Sequence, residues 1–158
     1  MTSPVTAGIY FGLSSGIITI LGLMTGLNAS TQSTAAVLGG IIIIAIADSL
    51  SDSFGIHISK EAEHRDNHRE VWAATIATFF SKMLIASSFA VPILLLPLQQ
   101  AIHVSIAWGL LVLTILSFFL ARSQQRRPLP IIAEHNALAI LVIVLTHFIG
   151  TFIGKTFA

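Results

Sequence analysis

The first 47 residues of the chain contain no aspartate, glutamate, lysine or arginine. Such a stretch is long enough for two membrane-spanning helices of about 20 residues each. The whole chain has the same character, since 54% of its 158 residues are hydrophobic and 9% are charged. These values are typical of an integral membrane protein. Because no basic residue precedes the first apolar segment, we expect that segment to remain as a membrane span and not to be removed as a secretory signal.

The apolar segments predict an all-α integral membrane protein with five transmembrane helices, forming a single domain over residues 1–158. Each segment reaches the length of roughly 20 residues that the hydrocarbon core of a bilayer requires. The predicted spans are approximately Val5–Leu27, Ala35–Ser59, Val71–Leu98, Ala101–Ala121 and Ala137–Phe157.

Basic residues are concentrated in two of the connections between these spans. Lys60–Glu70 and Arg122–Pro130 together carry six of the eight lysines and arginines. By the positive-inside rule both connections face the cytoplasm, which predicts a cytoplasmic N-terminus and an external C-terminus. We expect a prokaryotic inner membrane as the location. The chain has no cysteine, so disulfides and thiolate metal sites are excluded.

The second predicted span carries two acidic residues, Asp48 and Asp52, one helical turn apart. A carboxylate inside the hydrocarbon region is costly, and it is normally paired or functional. Together with Ser51, Gly55 and Ser59, the two aspartates follow the spacing of one helix face. We expect this acidic face to lie against other protein or a water-filled cavity, with the apolar faces toward lipid.

Lys82 lies about a dozen residues inside the third predicted span, too deep for its side chain simply to reach a membrane surface. Asp48 and Asp52 are the acidic residues at a comparable depth. We therefore predict an ion pair between Lys82 and one of them. With that pair, the buried net charge of each chain is −2 + 1 = −1. An alternative role for Lys82 is that of a tethered cation that replaces a coupling ion.

Small residues recur along the first predicted span at alternating steps of four and three. In lipid, small residues let helix backbones approach closely, so the pattern predicts a packing face. Ser15 and Thr19 on this face can also line a polar path beside the second span. The glycines assigned to helix packing or to a dimer interface are Gly8, Gly12, Gly16, Gly22 and Gly26.

The connection between the second and third spans is rich in side chains that can bind metal. Glu61, His64 and His68 lie within it, and the two histidines have the i, i+4 spacing that can chelate one ion on a helix. Lys60 and Arg65 are interleaved with them, and Glu61 and Arg65 form a favourable i, i+4 pair. Both a solvated helical hairpin and a weak cytoplasmic patch for metal capture are consistent with this pattern.

Two motifs in residues 8–63 indicate a family. The first span matches the pattern G-L-S-D-G-x-x-T-x-x-G-x-x-x-G at Gly12, Leu13, Ser14, Gly16, Thr19, Gly22 and Gly26. The second matches A-x-x-L-S-M-x-x-G-x-Y-x-S at Ala47, Leu50, Ser51, Gly55 and Ser59, and Glu63 matches a glutamate that follows it. On these residues, the chain resembles the vacuolar iron transporter family of five-span membrane proteins.

The resemblance implies a homodimer in which the first helices face each other. Divalent iron or manganese would leave the cytosol near the dimer axis in exchange for protons. We assign the metal path to Asp52, Asp48, Ser51, Ser15 and Glu63, with Lys82 as the coupling group or charge partner. The expected partners are a second copy of the chain, the lipid bilayer, metal ions and protons. We expect no nucleic-acid partner, no tightly bound cofactor, no catalytic residue and no enzymatic activity.

The chain departs from the family pattern at two positions and in length. Ser15 stands where the family has a metal-binding aspartate, and Asp52 stands where it has a metal-binding methionine. An oxygen-only site favours Mn²⁺, Mg²⁺ or Ca²⁺, alongside Fe²⁺, over ions that prefer thioethers. The long glutamate-rich cytoplasmic insert found in members of the family is also missing. Two other functions therefore stay open: a proton- or cation-coupled carrier of another small solute, and a non-transporting membrane scaffold.

Overall fold

The computed structural model describes residues 3–63 and 67–157, and this part of the chain is helical throughout apart from short connections. Five segments are long and apolar enough to cross a membrane, with α3 and α4 together forming one of them. The predicted all-α class and the number of membrane-length segments are confirmed, as expected for a multi-pass membrane protein. The helices are α1 (Pro4–Thr31), α2 (Thr34–Glu63), α3 (His68–Ser88), α4 (Ala90–Leu95), α5 (Leu98–Ser123) and α6 (Pro128–Phe157).

Helix α1 lies at the centre of the bundle and packs against α2, α3, α5 and α6. Its residues Ile17, Ile20, Leu21 and Met24 are fully buried, because neighbours surround this part of the helix. The α3 and α6 helices run parallel to α1, whereas α2 and α5 run antiparallel to it. The most hydrophobic part of the core is therefore built around the second half of α1.

The two ends of the bundle differ in charge. The N-terminus of α1, the α2–α3 connection and the α5–α6 connection lie at one end, which we call the basic end. Among the described residues, five of the lysines and arginines lie at or near this end: Lys60, Arg69, Arg122, Arg126 and Arg127. The α1–α2 and α4–α5 connections and the C-terminal end of α6 lie at the other, distal end. The positive-inside rule predicts that the basic end faces the cytoplasm.

The glycines of α1 allow close approach of two neighbouring helices. A Cβ atom added at Gly8 would lie 2.5 Å from the carbonyl oxygen of Ala74 in α3, and one at Gly22 would lie 2.8 Å from Val142 in α6. The glycines of α1 thus pack within the chain, some against α3 and others against α6. The sequence pattern had predicted one continuous packing face along α1. The dimer assigned to them stays a prediction. Gly12 and Gly16 also face α3, and Gly26 also faces α6.

Replacement of Gly12 tests this packing. A Cβ at Gly12 would lie 2.7 Å from the carbonyl oxygen of Thr78 and 3.1 Å from the backbone nitrogen of Lys82, and neither backbone atom can yield cheaply. We expect Gly12→Ala to lower the melting temperature of the detergent-solubilised protein by several degrees. The matched control is Gly39→Ala, because in the described part of the chain no atom of another helix lies within 4 Å of that Cβ position. Equal melting temperatures for the two variants would contradict the close packing of α1 on α3.

The third predicted span is interrupted near its distal end. Helix α3 ends at Ser88 and α4 begins at Ala90, because Pro92 has no N–H to donate to the carbonyl of Ser88. The N–H of Phe89 bonds instead to the carbonyl of Ala86, at 3.2 Å. The break lets the short α4 pack against both α2 and α5.

The last helix begins earlier than predicted, at Pro128 and not at Ala137. Proline suits the first turn of a helix, where its missing N–H has no partner to lose. His135 and Asn136, which the sequence analysis placed before the span, lie within α6 and bond to α5. His135 Nδ1 is 2.8 Å from Ser117 Oγ, and Asn136 Nδ2 is 2.9 Å from Thr114 Oγ1.

Candidate functional site

Lys82 is the largest fully buried side chain in the described residues, with 1% of its surface exposed. It lies about two thirds of the way along α3, on the side that faces α1. The approach of the two helices is close there, since a Cβ at Gly16 would lie 3.2 Å from Lys82 Cγ. The missing side chain at Gly16 therefore leaves room for the lysine stem to run between the helices toward α2.

Two carboxylates from α2 meet this lysine. Lys82 Nζ lies 2.5 Å from Asp48 Oδ2, and it also forms an ion pair with Asp52 Oδ2. The contact with Asp52 is also a hydrogen bond. The predicted pairing of Lys82 with a second-span aspartate is present, and it involves both aspartates at once.

Ser15 of α1 completes the cluster. Its hydroxyl donates to Asp52 Oδ2 at 2.6 Å and accepts from Lys82 Nζ at 2.9 Å. Three helices thus contribute to one polar centre, in which a hydroxyl bridges the acid and the base. We call Ser15, Asp48, Asp52 and Lys82 the Lys82 cluster. Its formal charge is −2 + 1 = −1, so the ammonium leaves one negative charge unbalanced.

The acidic face of α2 is less buried than expected. The buried stripe of α2 runs one residue further round the helix, through Ser49 and Ser53, and packs against α1 and α3. Asp48 and Asp52 each precede one of these serines, so their side chains lie at the margin of the packed face and are 25% and 23% exposed. In the single chain the acidic stripe is not covered by protein along its whole length, and its burial against other protein or a water-filled cavity stays a prediction. Ser51, Gly55 and Ser59 are exposed.

The other residues assigned to metal lie away from the Lys82 cluster. Glu63 forms an ion pair with Lys60 at 2.6 Å at the end of α2, eleven residues beyond Asp52 and so about 16 Å along the helix. Glu61 is exposed, His68 is the first residue of α3, and His64 lies outside the described residues. In residues 3–63 and 67–157, no three His, Asp or Glu side chains come together in a way that could hold a metal ion.

Two histidines within helices have a definite hydrogen-bonding role. His57 Nδ1 is 3.0 Å from the hydroxyl of Thr75, which itself donates to the carbonyl of Val71 at 2.8 Å. Since that hydroxyl has one proton, we assign the ring nitrogen as the donor. His135 is bonded in the same way to Ser117, whose hydroxyl donates to a backbone carbonyl. Both rings fasten one helix to the next.

Sequence reasoning missed the contribution of α5. Ser105, Gly109 and Ser117 are buried along one face of this helix, and a Cβ at Gly109 would lie 2.9 Å from Leu21 of α1. Their spacing of four, or a multiple of four, was the available signal. It predicts a packing face for the same reason as the glycines of α1.

A scan against protein-family models, a search of curated proteins and a search of solved structures each returned no match. The resemblance carried by residues 8–63 therefore stays an expectation, and the functional argument depends on the Lys82 cluster.

Proposed function

We propose that the protein carries a divalent metal cation, iron or manganese, out of the cytosol in exchange for protons, as a short relative of the vacuolar iron transporters. The observation that supports this proposal is the ammonium of Lys82, buried between Asp48 and Asp52 inside membrane-length helices. Ionisable groups at such depth are costly, and in membrane proteins they mark ion pathways. Carriers also commonly bind their substrates near the middle of the bilayer.

The charges of the cluster define the exchange that we propose. With Lys82 protonated the cluster carries −1, so a bound divalent cation would bring it to +1. If Lys82 releases one proton as the cation binds, the sum is −1 + 2 − 1 = 0, and no net charge remains in the bilayer. Loss of that proton would also free Asp48 Oδ2, which the ammonium contacts at 2.5 Å, to act as a ligand. The set of carboxylate and hydroxyl oxygens suits Mn²⁺ and Fe²⁺.

We further propose that a second copy of the chain covers the exposed part of the carboxylates. The glycines of α1 are occupied by α3 and α6, so we move the proposed dimer contact from α1 to α2. Nothing in the described chain outside α2 lies within 4 Å of a Cβ position at Gly55, and Ser51, one turn before it, is exposed. Small residues of this kind allow two helices to pack in lipid.

One observation favours a second candidate function. The ammonium of Lys82 already occupies the position between the carboxylates, so the cluster can serve as a proton site without binding a metal. The protein would then couple protons, or a monovalent cation, to the movement of another small solute. A membrane scaffold without flux is the third alternative, and it requires the cluster to be purely structural.

Flux through the purified protein in liposomes tests the proposal. We expect Mn²⁺ or Fe²⁺ to accumulate when a pH gradient is imposed, together with proton movement in the opposite direction reported by a trapped pH dye. Each divalent cation is assayed separately against protein-free liposomes. Proton movement that depends on another solute would support the second candidate, whereas the absence of both metal and proton flux would leave the scaffold.

A further inference from the structure

Two neighbouring cavities lie at the distal end of the bundle, between α1, α5 and α6. Their volumes are about 480 Å³ and 250 Å³, and Asn28, Gln99 and His147 line both. Thr25 and His103 line the smaller one. We call the two together the distal vestibule. Thr25 lies ten residues beyond Ser15 in α1, so the vestibule is about 15 Å further along the bundle than the Lys82 cluster.

The two histidines of the vestibule differ from His57 and His135. Among the residues described, neither the ring of His103 nor that of His147 has a hydrogen-bond partner, whereas His57 and His135 are each bonded to a hydroxyl. They come from different helices, α5 and α6, and both border the 250 Å³ cavity. Their ring nitrogens are thus free to bind a ligand in that space.

One buried hydroxyl, that of Thr25, lines the inner end of the vestibule, and a second, that of Ser105, lies near it in α5. Thr25 is 5% exposed and Ser105 is fully buried, and in the described residues neither side-chain oxygen has a hydrogen-bond partner. Gly109 of α5 packs on Leu21 of α1, and the two helices are antiparallel. One turn before Gly109 is Ser105, and one turn after Leu21 is Thr25, so these two residues lie at a similar height in the bundle. Buried hydroxyls are normally bonded to protein, water or a ligand. The inner end of the vestibule therefore has unused hydrogen-bonding capacity.

We propose that the distal vestibule is a binding site for a partly hydrated divalent transition cation. The imidazoles of His103 and His147 would supply two nitrogen ligands, which suit zinc, copper, nickel and iron. The amide oxygens of Asn28 and Gln99 would bind the ion or its waters, and Thr25 would hold a water at the inner end. No carboxylate, lysine or arginine is among the described residues that line the cavities. Without a carboxylate the site binds weakly, which suits release of a cation.

The role in release rests on the proposed function, but the binding of metal does not. The experiment therefore measures binding without flux, on the full-length protein in detergent. Copper(II) alone is the first probe, because its electron paramagnetic resonance spectrum shows splitting from coordinated nitrogen. Zinc alone, in equilibrium dialysis, is the second. All variants carry His64→Asn and His68→Asn, so that the connection between α2 and α3 does not contribute.

We expect His147→Asn and His103→Asn each to weaken zinc binding at least tenfold and to reduce the nitrogen splitting of the copper spectrum from that of two nitrogens to that of one. The double variant should remove the splitting. His135→Asn is the matched control on the same helix as His147 and should change neither readout. Unchanged zinc affinity and splitting in the His103→Asn/His147→Asn double variant would overturn the site, as would the absence of zinc binding by the starting protein. Since His103 and His147 are both exposed, the variants at these positions should have the same melting temperature as the starting protein.

Asp52→Asn separates this inference from the proposed function. Its vestibule is unchanged, so it should keep the zinc affinity and the copper spectrum of the starting protein. Vestibule binding by a protein that shows no flux would reject the proposed transport and leave the site standing. Metal flux by a protein whose vestibule binds no metal would reject the vestibule site and leave the proposed transport standing.

Discussion

Lys82→Met should destabilise the protein by about 3–5 kcal/mol, the usual effect of removing one partner from a buried ion pair. Methionine keeps the length and apolar stem of the side chain but leaves Asp48 and Asp52 facing each other without the ammonium. Both carboxylates then lie within a membrane-length helix with no counter-charge at the position of Nζ. Equilibrium unfolding in mixed micelles measures the difference from the wild-type protein.

Lys60→Met is the matched control for loss of a lysine. Lys60 forms an ion pair with Glu63 at the basic end, where the glutamate side chain is 51% exposed. Exposed pairs contribute about 0–1 kcal/mol, so this variant should unfold almost as the wild type does. If Lys82→Met lost no more stability than Lys60→Met, the Lys82 cluster would not be buried as described.

Charge balance extends the test to the aspartates. Asp48→Asn or Asp52→Asn leaves Lys82 with one carboxylate, so each single variant should fold. The double variant Asp48→Asn/Asp52→Asn leaves the ammonium unpaired and should be destabilised. The triple variant with Lys82→Met removes every charge, and we expect it to recover most of the lost stability. Strictly additive effects would show that the three side chains do not interact.

The sequence was sufficient to predict the Lys82 pairing because charges at membrane depth are few and costly. Lys82 had only Asp48 and Asp52 as acidic residues at its level. It was not sufficient to predict that both aspartates contact the lysine. That outcome depends on the rotation of α2, which places Ser49 and Ser53 in the packed face and the aspartates beside it. Both faces of this helix carry small polar residues, so the pattern alone did not decide between them.

The role of the α1 glycines shows a second limit of sequence reasoning. Their spacing predicts close helix packing but does not distinguish a helix of the same chain from one of a second copy. The structure places Gly8 against α3 and Gly22 against α6. The distal vestibule was beyond prediction for a related reason. His103 and His147 are far apart in sequence, and they border one cavity because α5 and α6 pack against each other as well as against α1.

Asp52→Asn should abolish divalent-cation flux while leaving the protein folded. Asparagine keeps the shape of the side chain and its contact with Ser15 but removes one negative charge. The remaining pair of Asp48 and Lys82 is neutral, so the cluster no longer carries the charge of −1 that we propose attracts the cation. Stability is expected to survive, because Lys82 keeps its ion pair with Asp48. Flux in proteoliposomes should fall to the level of protein-free liposomes.

Two comparisons give this result its meaning. Glu134→Gln removes a carboxylate that is exposed on α6, and it should transport at the wild-type rate. Ser15→Ala removes the hydroxyl that joins Lys82 to Asp52 but changes no charge, so it should slow transport without abolishing it. Normal flux through Asp52→Asn would remove the main support for the transporter proposal. If both Asp52→Asn and Glu134→Gln lost flux, the loss would reflect a general effect of acidic residues on reconstitution. The charge of the Lys82 cluster would then not explain transport.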